Sequence, residues 1–88
     1  MKVSSWDGAV GAIRAVTLTV EDLLPQRAIG SVWELIDAGE LGIAFENLCT
    51  QLYEYEITPD EPSREVLTRV GTYFRLEPGL WRCLTSEG

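Results

Sequence analysis

The residues that could do chemistry in this 88-residue chain are its carboxylates, two thiols and three tyrosines. A pair of carboxylates can act as general acid and general base when it flanks a scissile bond. Glu46 with Glu54, and Asp37 with Glu40, are the candidate pairs. On the outside of a helix, however, two carboxylates lack the cleft that would shift their pKa values. Cys49 and Cys83 have no histidine to activate them, because the sequence contains none. A Cys–His nucleophile therefore cannot be assembled. The same absence removes the commonest metal ligand and the commonest general base near neutral pH. No Gly-rich phosphate loop follows a strand pattern, and the EF-hand spacing of acids around a central glycine is missing. The expectation is a binding protein without catalytic residues, cofactor or metal.

The charge distribution says what such a protein would bind. The net charge is −7, and its placement is uneven. Residues 21–61 hold ten acids against Arg27 alone, a net of −9, while the segments on either side are each +1. A block of this kind repels nucleic acid and accelerates encounter with a basic partner. Its plainer reading is a solvated, soluble face. Nucleic-acid binding needs a basic footprint, which is the opposite of what is found.

Hydrophobic patterning supplies the elements that must position these residues. Pro25 suits a first helical turn, and Ile29, Val32, Trp33 and Ile36 follow at the spacing of one helical face. Gly39 suits the left-handed position that ends a helix. Glu34 and Asp37 then lie on the polar side of a helix over 25–38. The segment 40–57 is the clearest helix. At about 100° per residue, Leu41, Ala44, Phe45, Leu48, Leu52 and Tyr55 gather on one side with Cys49 at its border. The opposite side carries Ile43, Glu46, Asn47, Thr50, Tyr53 and Glu54. Glu40 opens this helix, and the short link at Gly39 implies an antiparallel or steeply angled pair.

Downstream, Thr58-Pro59-Asp60-Glu61 has the form of a helix start, with Thr58 as cap, Pro59 at the first helical position and Glu61 completing a capping box. Pro62 pushes that start two or three residues later. Val66, Leu67, Val70, Tyr73 and Phe74 form the apolar face, Pro78 breaks the pattern, and Leu80, Trp81 and Leu84 form a last turn that packs back as a lid. Upstream, Trp6, Val10, Ile13 and Val16 keep helical spacing, although Val16-Thr-Leu-Thr-Val20 has strand propensity. An isolated strand has nothing to pair with, so a helix over about 7–18 is expected.

The whole chain, 1–88, is expected to form a single domain. The fold expected is all-α, a small antiparallel bundle of about four helices with a short C-terminal helical turn. Such a chain buries roughly 60–65% of its unfolded surface, enough for one core but not for a large internal pocket. No basic-then-apolar leader pattern opens the sequence, and no apolar stretch approaches the ~20 residues of a membrane span. Two widely separated cysteines form no disulfide framework. A cytoplasmic protein with reduced thiols is expected, with no membrane contact.

Within the acidic block, Glu46, Thr50 and Glu54 follow at i, i+4, i+8 as one exposed ridge. Like charges at this spacing do not help a helix. Tyr53, flanked by Glu54 and Glu56, has the character of an amphipathic interface anchor. The competing reading places its ring over a neighbouring helix with the hydroxyl in water. Trp33 and Cys49 are expected in the core.

Gly39-Glu40, Ile43-Ala-Phe-Glu-Asn-Leu-Cys49 and Leu52-Tyr-Glu-Tyr55 together resemble the pattern of the MafI family of immunity proteins. The likeness covers about residues 25–76. Glu46, Leu48 and Cys49 are its most specific matches, and Phe45 stands where the pattern would have Leu. The resemblance implies an antidote that binds the toxic domain of a polymorphic bacterial toxin, often a nuclease, and protects the producing cell. The contact surface expected is Glu34, Asp37, Glu40, Glu46, Thr50, Tyr53, Glu54 and Glu56, facing a basic toxin domain. The alternative is a structural or adaptor bundle that binds a basic protein partner or dimerises through the outer stripe of 40–57, where Ile43, Tyr53 and Ile57 lie. Monomer and homodimer both remain open.

Overall fold

A computed structural model describes residues 3–84. Its helices are α1 (Trp6–Val20), α2 (Gln26–Asp37), α3 (Leu41–Glu54), α4 (Glu61–Tyr73) and the single turn α5 (Gly79–Arg82), with a 3-10 turn over Glu21–Leu23. The described residues contain no strand, so the all-α expectation holds. No helix among them is long and apolar enough to cross a membrane.

Helix α1 runs slightly beyond the expected 7–18 at both ends. Ser5 caps it by accepting a 3.1 Å hydrogen bond from the Gly8 amide. Its β-branched end stays helical because Val16, Thr17 and Val20 are buried in the core, and packing there outweighs strand propensity. The Thr17 and Thr19 hydroxyls find partners by donating back to the carbonyls of Ile13 (2.7 Å) and Ala15 (2.9 Å). Its buried stripe is Ala9, Ala12, Ile13, Val16, Thr17 and Val20. Trp6 and Val10, expected on that stripe, sit beside it. Trp6 meets Phe74 edge-on at 6.2 Å and stays 49% exposed.

Trp6 at the start of α1 touches Phe74 just past the end of α4, and Ala15, Val16 and Thr19 share a depression with Pro62, Ser63 and Val66 at its beginning. The two helices therefore run in opposite directions. Helices α2 and α3 also form an antiparallel pair. Asn47 donates a 2.7 Å hydrogen bond to Ser31, and these residues lie equally far on either side of Gly39. Pro25 proves to be the cap residue of α2, one position earlier than the first-turn placement expected.

Three helices end in the same way. In α2 the Glu40 amide donates to Leu35 O (2.9 Å) and the Gly39 amide to Ile36 O (3.1 Å), with Gly39 at φ 77°. This is the Schellman arrangement, which needs a left-handed residue. In α3 the same bonds run from Ile57 to Leu52 and from Glu56 to Tyr53, with Glu56 at φ 54°. In α4 they run from Leu76 to Gly71 and from Arg75 to Thr72, with Arg75 at φ 57°.

The cap of α3 explains one departure from the sequence reading, and the start of α4 shows another. Helix α3 stops at Glu54, short of residue 57, so Tyr55 never completes the core stripe and stays 47% exposed. Ile57 turns inward in its place and is half-buried. The cap of α4 is Asp60, which accepts from the Ser63 amide at 2.8 Å, and Thr58 does not fill that role. Pro62 has no amide hydrogen to offer in the first turn, where none is needed, so the helix starts at Glu61.

Phe45, Leu41, Leu48 and Leu52 of α3 fill the centre with Ile13, Val32, Leu67 and Val70. The lid expected at the C-terminal end is present. Trp81 of α5 lies edge-on to Phe45 at 5.8 Å and covers Gly71. A Cβ at Gly71 would overlap the Trp81 ring (2.6 Å to Cε3), so the glycine makes room for the indole.

Candidate functional site

Helix α3 presents its polar side as periodicity requires. Ile43, Glu46, Thr50, Tyr53 and Glu54 are all exposed, Tyr53 at 61% and Ile43 at 54%. The inner side is fixed by fully buried Ala44, Phe45, Leu48 and Leu52, so the outer ridge cannot rotate inward without emptying the core. Asn47 is held at the ridge's edge, donating to Ser31 and accepting from Gln51 at 3.1 Å. The ridge is therefore built on a rigid element.

The acids expected to form one contact surface separate into groups. Asp37 turns toward α1, where its carboxylate lies 4.0 Å from Arg14. Both side chains are more than half exposed, and a pair of this kind contributes about 0–1 kcal/mol. The Arg14 guanidinium also lies over the Trp33 ring, 5.3 Å from its centroid. Trp33, expected in the core, is thus only half-buried and forms a platform between α1 and α2. Glu34 is exposed on α2, and Glu40 is exposed at the α2–α3 joint, where its carbonyl accepts from Ala44 at 2.8 Å. Among the described residues, Glu34, Glu40, Glu46, Glu54 and Glu56 have no cation within 4.0 Å.

Thr50, Tyr53, Glu54 and Glu56 come together against α5. A groove of about 350 Å³ lies between the second half of α3 and the α4–α5 connection. Thr50, Tyr53 and Glu54 form one wall, Glu77, Gly79, Leu80 and Cys83 the other, with Cys49 between them. Beside it a second depression of about 180 Å³ takes in Glu56, Ile57 and Leu84 and shares Tyr53 and Cys83. No local pattern in the sequence signals this groove's far wall, because α5 returns to α3 from about thirty residues downstream. Leu80, Trp81 and Leu84 signalled that a lid exists, but not where it lands.

The thiols sit at this junction. Cys49 is buried, and burial pushes its pKa up to about 12, with the Cys83 thiol and Glu46 adding to the rise. It is a neutral, inert group at physiological pH. Cys83 is exposed, with its thiol 3.7 Å from the Leu80 carbonyl. Among the described residues no group of three or more histidine, cysteine, aspartate or glutamate side chains could hold a metal ion. Glu46 and Glu54 lie eight residues apart on one helix, ~12 Å along its axis. The carboxylate pairs of glycosidases stand ~5–9.5 Å apart. No family model, curated protein or solved structure matches the chain.

Proposed function

We propose that this chain is a binding protein of the immunity type, which neutralises a cognate bacterial toxin domain, of the nuclease kind, by covering its basic surface. The mechanism is occlusion, without chemistry on the inhibitor's side and without a cofactor. The likeness of residues 25–76 to MafI immunity proteins supports the reading, and so does one feature of the fold. The end of α3 breaks three local preferences at once. Glu54 and Glu56 lie at the negative end of the helix dipole, which disfavours carboxylates. Glu56 holds a left-handed conformation that glycine adopts far more easily. Tyr53, just before them, is 61% exposed. Departures from local preference concentrated in one place are characteristic of functional surfaces.

The partner is expected to be basic, because the exposed carboxylates of α2 and α3 carry almost no compensating charge. Electrostatic steering of this kind raises association rates from about 10⁵–10⁶ to as much as 10⁸–10⁹ M⁻¹s⁻¹ at low salt. The test is affinity capture from the source cell, washed at low and then high salt, with co-purifying proteins identified by mass. The reading requires a stoichiometric basic partner with a toxin domain whose activity falls when the chain is bound. Capture of no such protein would sink it.

A second reading has its own support in the exposed Ile43 and Tyr53 on the α3 ridge. There the chain is a structural or adaptor bundle that dimerises through that ridge. Sedimentation of the purified chain decides this case. A concentration-dependent mass abolished by Ile43→Ser with Tyr53→Ser favours the dimer, and a constant monomer mass rejects it.

A further inference from the structure

We propose that the groove between α3 and α5 receives one arginine or lysine side chain of the basic partner, its methylene stem against Tyr53, Leu80 and Cys83 and its cationic head between Glu54 and Glu77. This deepens the binding function proposed above and rests on the partner being a basic protein.

Three observations carry it. The groove wall is mostly apolar, yet its charged members are both carboxylates, Glu54 and Glu77, and no arginine or lysine lines it. Cys49, the buried residue beneath, adds a small apolar surface and no charge. At about 350 Å³ the groove lies at the lower end of the ~300–1,000 Å³ typical of ligand clefts. That is room for one side chain and a little water, but not for a folded segment.

The chemistry that fits an apolar slot with an anionic rim is a long side chain with an apolar stem and a cationic tip. Lysine and arginine bury their methylenes in this way while the head stays at the polar edge. Arginine fits better, because its planar fork can bond two carboxylates and stack on the Tyr53 ring. Other depressions on the molecule do not select for this. The one beside α4 places Arg64 and Arg82 with Glu61 and Glu65, so its charges oppose each other. The one at Glu21 and Asp22 is acidic, but its wall is more polar than apolar and offers a stem little to pack on.

The test uses the full chain alone. The ¹⁵N-labelled protein is titrated with n-butylguanidinium chloride, an arginine side-chain mimic, and separately with guanidinium chloride and with n-butanol. The expected result is a saturable set of amide shifts at Thr50, Glu54, Gly79, Leu80 and Cys83, with at least fivefold weaker binding of either control. The double variant Glu54→Gln with Glu77→Gln, checked for an unchanged spectrum elsewhere, should weaken the mimic at least fivefold. The mimic should also slow alkylation of Cys83 by iodoacetamide. Shifts that do not saturate, that spread equally over Glu34, Glu40 and Glu46, or that survive in the double variant would overturn the proposal. Because no partner is involved, failure here leaves the capture experiment intact, and failure of the capture leaves this result standing.

Discussion

Replacing Glu56 with glycine should make the protein more stable, and the size of the gain follows from the backbone. Glu56 occupies the left-handed position of the α3 cap at φ 54°. An L-residue there costs roughly 1–2 kcal/mol through the clash of its Cβ with the carbonyl oxygen. Glycine removes the clash but loses about 0.5–1 kcal/mol more chain entropy on folding. The net expectation is a gain of about 0.5–1 kcal/mol. The cap's hydrogen bonds, Ile57 to Leu52 at 2.9 Å and Glu56 to Tyr53 at 3.1 Å, involve backbone atoms only and should survive. Removing the carboxylate also relieves its repulsion from the helix dipole, so Glu56→Ala is the necessary reference. Alanine loses the charge and keeps the strain, and the difference between the glycine and alanine variants isolates the backbone contribution. Urea unfolding followed by circular dichroism measures it. A gain of this size corresponds to roughly 2–8 °C in melting temperature for a domain of this length. If the glycine variant is no more stable than the alanine variant, α3 does not end in the left-handed cap described. Where Glu56 also meets the partner, the stabilised glycine variant should bind it more slowly.

Four other outcomes follow from the same geometry. Gly39→Ala should cost about 1 kcal/mol or more in urea unfolding, since its φ of 77° penalises a side chain. Gly71→Ala should destabilise by about 1–3 kcal/mol and change Trp81 fluorescence, because the new methyl group displaces the indole. Cys49 has a folded pKa raised above its unfolded value, so its contribution to stability is complete below about pH 9 and is lost as pH rises toward about 12. Over that window the fall should approach about 1.4 kcal/mol per pH unit, and chemical denaturation of Cys49→Ala should lack this component. Asp60 behaves in the opposite sense. The Ser63 hydrogen bonds hold its carboxyl below the usual range, so the stability its charge contributes should be present at neutral pH, begin to fall as the pH drops past the usual range and be lost as the pH falls through the lowered folded value, a component that Asp60→Ala should lack.

The core of the fold was legible where apolar residues recur with helical spacing. Leu41, Ala44, Phe45, Leu48 and Leu52 are buried as that spacing requires, and the outer ridge of α3 follows from it. Gly39 announced its cap because glycine is the usual left-handed residue. Glu56 and Arg75 take the same conformation without that signal, so the ends of α3 and α4 could not be read, and Tyr55 was assigned to a turn of helix that does not form. Trp33 was misplaced for another reason. Helical spacing gives a residue's direction but not which neighbour arrives there, and Arg14 of α1 covers the ring. The same limit hid the groove, whose walls are brought together only by the return of α5 over Gly71.

The measurement that bears most directly on the proposed function is the association rate with the captured basic partner as a function of ionic strength, for the native chain and for Glu46→Ala with Glu54→Ala. Screening shortens the reach of exposed charges to about 10 Å at 0.1 M salt. Steering by the α3 carboxylates requires the native rate to fall at least tenfold from low to high salt, and the double variant to start slower and vary less. Equal rates and equal salt dependence in the two proteins would contradict it.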